Sequence, residues 1–76
     1  MKPKTSLSLI ESEFTRANNL YPGFHSNHEA YAVIKEEFDE LWDEIRKEKG
    51  VNGNDQIRNE LIQIGAMVVK YLENLC

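Results

Sequence analysis

Six carboxylates alternate with four large apolar side chains in the stretch EEFDELWDEI, residues 36–45. On a helix turning 100° per residue, Ala30, Ile34, Phe38, Leu41 and Ile45 gather on one face, and Glu36, Asp39 and Asp43 fall opposite it as a solvated side. Glu37, Glu40 and Glu44 instead lie roughly 60° to 120° from the centre of the apolar face, all on one flank beside Val33. They are i,i+3 and i,i+4 neighbours, and like charges at that spacing repel on an isolated helix. A cation between them reverses the sign of that term. The flank is therefore either a salt-bridged boundary stripe or half of a metal site.

A second set of polar groups sits within an apolar pattern further on. Ile57, Leu61, Ile64, Val68, Tyr71 and Leu75 mark one face of a helix, and Glu60 lies only about 40° from its middle. Gln63 and Met67 follow on the flank, with Lys70 just beyond. A carboxylate among leucine and isoleucine is costly to bury unless it is paired or binds a metal. If the two helices pack antiparallel, Glu37, Glu40, Glu60 and Gln63 converge. Oxygen donors of this kind select hard cations, Mg²⁺ or Mn²⁺. E-x-x-E/Q pairs also arise on helices by chance, so the pattern alone leaves the choice open.

Three helices must carry these residues. Leu7, Ile10, Phe14 and Ala17 predict the first over Ser6 to Asn19, with Ser8 and Glu11 spaced as a capping box. YPGFHSN breaks it, since Pro22 and Gly23 are turn residues. The second begins at Ser26 or Asn27, with Ser26 and Glu29 as its capping box, and continues to about Lys47. GVNGND is the next break, with glycines and asparagines suited to left-handed backbone. Asn54 or Asp55 then caps a third helix over Gln56 to Leu75. No strand pattern, repeat or linker interrupts this reading, which is one all-α domain over residues 1–76.

Composition narrows the function classes. A chain of 76 residues buries only about 60% of its unfolded surface when it folds alone, which favours self-association. The small pair Gly65–Ala66, near Ile62 and Val69, gives the third helix a second apolar strip, expected as an oligomer interface. Tyr31 and Trp42 fall on the flank opposite the acids and are expected to pack against the first helix or a second subunit. The net charge of −4 lacks the electrostatic footprint of a nucleic-acid binder. Cys76 is the single cysteine, so no intramolecular disulfide forms. No apolar run reaches membrane-spanning length, and acids and serines interrupt MKPKTSLSLIESE too early for a signal peptide. The expectation is a soluble, cytoplasmic protein that binds neither nucleic acid nor membrane. His25 and His28 flank the second helix start and read as loop residues.

EEFDE (Glu36 to Glu40), followed after a loop by NELIQ (Asn59 to Gln63), resembles the E-E-x-x-E … E-x-x-D pattern of the MazG-like, all-α NTP pyrophosphohydrolases. The wider strings FHSNHEAYAVIKEEFDELWDEI and RNELIQIGAMVVKYLENL are similar to a small branch of that superfamily, often associated with phages or prophages. The similarity runs from about Phe24 to Leu75. It implies dimers or tetramers in which the two longer, antiparallel helices complete four-helix bundles. It also implies Mg²⁺, or Mn²⁺, held by the acidic motifs, and a nucleoside triphosphate split between its α and β phosphates to the monophosphate and pyrophosphate. By position, Glu37 and Glu40 match the metal-binding glutamates of the first motif and Glu60 that of the second. Glu36 fills the leading acidic position but lies on the wet face.

Gln63 departs from the pattern, which has aspartate there. Its carbonyl oxygen can ligate Mg²⁺, but it is uncharged and cannot act as a base. Glu40 and Glu44 are then the candidate catalytic carboxylates. Lys70 and Arg58 are the cations nearest to hand for the substrate phosphates, although their positions read as surface charges. The alternative implied by Gln63 is a catalytically inactive MazG-like oligomer that serves as a nucleotide-binding or protein-interaction module.

Overall fold

A computed structural model describes residues 1–47 and 53–76. It contains three helices, α1 (Pro3–Leu20), α2 (Asn27–Arg46) and α3 (Gly53–Leu75), and no strand among the described residues. None of these helices is long and apolar enough to cross a membrane.

The helix ends follow local chemistry. α1 starts three residues before the predicted Ser6, because Pro3 occupies its first turn with φ already set for a helix. Ser8 and Glu11 consequently lie inside the helix and form no cap. At the other end Tyr21 is extended (φ −129°, ψ 148°), as the residue before a proline is driven out of the α region. Ser26 caps α2 as expected: its Oγ accepts from the Glu29 N–H at 3.1 Å. The returning bond is displaced by one residue, since Glu29 Oε1 accepts from the His25 N–H at 3.0 Å. α3 begins at Gly53, so Asn54 and Asp55 are not its caps but lie in its first turn. There the Asp55 charge suits the positive end of the helix dipole. Gly50 to Asn52 of the expected GVNGND break lie outside the described residues.

α3 is the central element. Both α1 and α2 pack against it, and among the described residues α1 and α2 do not pack against each other. The Tyr71 hydroxyl donates to Asn27 Oδ1 at 2.9 Å, while Glu37 and Glu40 approach Glu60. Position thus rises along α2 as it falls along α3, so the two longer helices are antiparallel. α1 runs parallel to α3, with Ile10 against Gly65 and Ala17 sharing a groove with Lys70.

The core is small and built from small residues: Ala17, Phe24, Ala30, Ile64 and Ala66 are buried, Ala30 and Ala66 completely. Gly65–Ala66 does not face an oligomer partner as expected; α1 of the same chain covers it. A Cβ on Gly65 would stand 2.7 Å from Ile10 Cδ1, so the missing side chain is what lets α1 come so close.

The expected apolar face of α2 is only half used. Ala30 is buried and Ile34 and Leu41 are half-buried, but Phe38 is 52% exposed and Ile45 is also exposed. Tyr31 and Trp42 lie on the same outward side and do not pack against α1. On α3, Leu61, Val68 and Leu72 are likewise exposed. The cause is a rotation of α2 that turns its acidic flank toward α3 and its aromatic flank away. In the antiparallel register Phe38 comes level with Leu61, and Tyr31 with Val68.

Ala66 has no exposed surface, so Ala66→Leu forces extra methylenes into a filled site and is expected to cost about 1–3 kcal/mol. In a domain of this size that lowers Tm by roughly 4–8 °C per kcal/mol, measurable by thermal circular dichroism.

Candidate metal centre

The rotation of α2 brings three carboxylates from two helices to one place. Glu37 and Glu40 on α2 and Glu60 on α3 each present an oxygen such that all three lie within 4.8 Å of one another. Glu37 and Glu60 are half-buried in the α2–α3 seam, and Glu40 is exposed at its edge. Glu37 Oε2 and Glu60 Oε2 are buried and have no hydrogen-bond partner. An unpaired buried oxygen forfeits its hydration, which costs about 1–3 kcal/mol and more when charged.

The electrostatics agree with the geometry. Burial pushes the Glu37 carboxyl up to about 7, and the charges of Glu40 and Glu60 push the same way. Glu60 is raised as well, first by burial and then by Glu40 and Glu44. The raised Glu37 and Glu60 carboxyls are what burial and packing of anions without a counter-ion produce. The donor set, all carboxylate oxygen, fits a hard divalent cation.

The other sequence-expected residues are distributed around this trio. Gln63, half-buried, lines a groove between α1 and α2 that Glu37 also lines. Glu44 stands one turn beyond Glu40, with Lys47 Nζ 3.2 Å from its Oε1, and its charge reaches Glu60. Lys70 is not a surface charge: it is buried and opens onto the same groove. Arg58 is on the surface, 3.6 Å from Asp55, and borders a separate groove with Met1, Ile10 and Leu61. The fold does not bring it to the acids. Glu36 is exposed, on the side its rotation assigned.

Sequence reasoning missed the contribution of α1. Glu13 and Arg16 form a two-pronged ion pair, Arg16 Nε to Glu13 Oε1 at 3.0 Å and Nη2 to Oε2 at 2.6 Å, and both line the groove of about 510 Å³. Their i,i+3 spacing on the flank of Ile10 and Ala17 was the available signal. His25 lines the groove too, whereas His28 does not.

No family model, curated protein or solved structure matches the chain.

A carboxyl raised in the folded state favours folding while protonated, so its contribution is complete below the unfolded value near 4.5 and is lost as pH rises through about 7. The metal-free protein is therefore expected to lose Tm between pH 5 and pH 8. Glu37→Gln should flatten that slope. At pH 8, Mn²⁺ at about 100 times its Kd should add about 2.7 kcal/mol to the wild type and little to the variant, as scanning calorimetry would record.

Proposed function

We propose that this protein is a Mg²⁺-dependent nucleotide pyrophosphohydrolase of MazG-like type, cleaving a nucleoside or deoxynucleoside triphosphate between its α and β phosphates. The observation that carries the proposal is the convergence of Glu37, Glu40 and Glu60, with two buried orphan oxygens, beside a groove that also holds a lysine. The motif resemblance supplies the reaction. Glu37, Glu40 and Glu60 would hold the cation, with Gln63 offering a neutral oxygen at the groove side, and a cation bound there would supply positive charge against that developing on the phosphate oxygens. Water attacks the α phosphorus, the bond to the bridging oxygen of the β phosphate breaks, and pyrophosphate leaves. Glu40, the exposed member of the trio, and Glu44, one turn on, are the carboxylates positioned to accept the proton of that water. The substrate pool is cytoplasmic.

The protein acts as a homo-oligomer. Tyr31, Phe38, Trp42 and Ile45 on α2 and Leu61, Val68 and Leu72 on α3 are large apolar side chains exposed on two adjacent helices, the kind of surface that marks an interaction site when it is contiguous. Pairing two α2–α3 hairpins through that side gives a four-helix bundle and leaves the acidic seam within each hairpin unchanged. A second reading, an oligomer of the same shape without turnover, is favoured by Gln63 alone, since the site then has three anions rather than four.

Pyrophosphate release from a panel of NTPs and dNTPs, with Mg²⁺, with Mn²⁺ and with EDTA, decides between the readings. Metal-dependent release is expected, and Glu60→Gln should lower kcat/KM by roughly 100-fold or more, equivalent to about 2.7 kcal/mol of transition-state stabilisation. Absence of release from every nucleotide by folded protein would select the inactive reading. The assembly is tested separately: Phe38→Glu should shift the wild-type oligomer to monomer in light scattering, and a wild type that is already monomeric would refute the bundle.

A further inference from the structure

One cation on α3 is almost sealed from solvent. Lys70 is 6% exposed, and its Nζ stands 4.5 Å from the centroid of the Phe24 ring. An ammonium has three donors, and among the described residues no carboxylate pairs with this one. Drawing it out of water without a counter-charge is costly, and an aromatic face returns only part of that cost. The ring is fixed from its other sides. The Phe24 N–H donates to Asn74 Oδ1 at 2.6 Å, and the ring meets Tyr71 edge-on with centroids 6.3 Å apart. Lys70 Nζ is not among the sealed side-chain atoms that lack a partner, which are Glu37 Oε2 and Glu60 Oε2. The little surface it keeps opens onto the groove that Lys70 lines.

That groove, of about 510 Å³, has the size of a small-molecule site. Ala17 of α1, Val33 of α2, Met67 of α3 and the Phe24 ring give it apolar walls. Its other charges are engaged. Arg16 is held by both oxygens of Glu13, Glu29 accepts the His25 N–H, and Glu37 belongs to the acidic trio. Those acids also limit what can enter. A group carrying two or more negative charges meets Glu13, Glu29 and Glu37 in the same walls, and like charges brought together cost affinity. A single negative charge matches the one unpaired ammonium. A carboxylate does so through a charge-assisted hydrogen bond, and an apolar body attached to it can lie along the walls.

The geometry points to a site for a small monocarboxylic acid, whose carboxylate accepts from Lys70 and whose apolar body lies against Ala17, Val33 and Met67. Phe24 is the residue that positions the ammonium. The site needs neither a divalent cation nor turnover, so it goes beyond the reaction proposed above and stands or falls apart from it.

Amide chemical-shift titrations of the full chain at pH 8 test it, with phenylacetate, the uncharged phenylacetamide and the dianion phenyl phosphate as probes. Phenylacetate should bind the wild type at least about tenfold more tightly than phenylacetamide, the yield of one hydrogen bond to a charged group. Its affinity should be the same in EDTA as in Mn²⁺, with the largest shifts at Phe24, Val33, Met67 and Lys70. Lys70→Met, folded by circular dichroism, should bind acid and amide alike, and Lys70→Arg should keep most of the preference. Equal affinity of the wild type for acid and amide would overturn the inference whether or not any variant folds. So would the absence of saturable shifts, tighter binding of phenyl phosphate, or binding that requires Mn²⁺. Failure of the protein to release pyrophosphate would leave these outcomes unaffected.

Discussion

Burial of acid at the α2–α3 seam is the constraint on which the rest of the structure turns. Glu37 and Glu60 face each other across a seam that a purely structural helix pair would fill with leucine or isoleucine. Their inner oxygens find no donor. In a domain whose whole stability is of the order of 5–15 kcal/mol, two such atoms are a large standing penalty. At neutral pH the fold relieves it in part by holding the Glu37 proton, which is why that carboxyl titrates at about 7. A divalent cation placed there would relieve it more completely, because one ion would satisfy both orphan oxygens and reverse the mutual repulsion of the carboxylates, and it would have to displace protons from those atoms.

The acidic seam also explains the odd distribution of apolar surface. A helix has one circumference, and α2 cannot present both its carboxylate flank and its aromatic flank to α3. Turning Glu37 inward leaves Phe38 and Ile45 half in water and Tyr31 and Trp42 further out. α3 compensates on its other side, where Gly65 and Ala66 admit α1 at close range. The result is three helices in which the central one is used on two sides and still shows leucine and valine on a third.

Much of this was legible in the sequence, and the misses have definite causes. Helical periodicity located all three helices, and the Ser26–Glu29 cap was readable because it is a local interaction between residues three apart. Rotation angles put Glu37, Glu40 and Glu60 on facing flanks and made their convergence conditional on antiparallel packing, which the structure shows. The start of α1 was misplaced by weighing Ser8 and Glu11 above Pro3, whose preset φ acts before any side-chain cap. The environment of Gly65–Ala66 was misread because small residues announce a close neighbour without saying which one. The stripe from Ala30 to Ile45 was assigned wholly to the core, because hydrophobic periodicity reports which side avoids water and not what covers it. Lys70 was read as a surface charge because rotation put it at the edge of the apolar face. What buries it is Phe24, a residue far away in sequence and placed by its bond to Asn74.

That last contact bears on how the site is divided. The acidic half is built by the α2–α3 pair, and the register that aligns Glu37 with Glu60 also aligns Asn27 with Tyr71 at the far end of the seam. The groove half is closed by the Tyr21–His25 connection and by α1. Since α1 touches α3 but not α2 among the described residues, changes in the groove wall can be made without altering the acidic trio. Variation in α1 therefore reshapes the groove wall without touching the acidic trio. Gln63 lies where the two halves meet. Its amide brings an oxygen but no charge to the groove that Glu37 also lines, so the negative charge of the seam is confined to the three carboxylates.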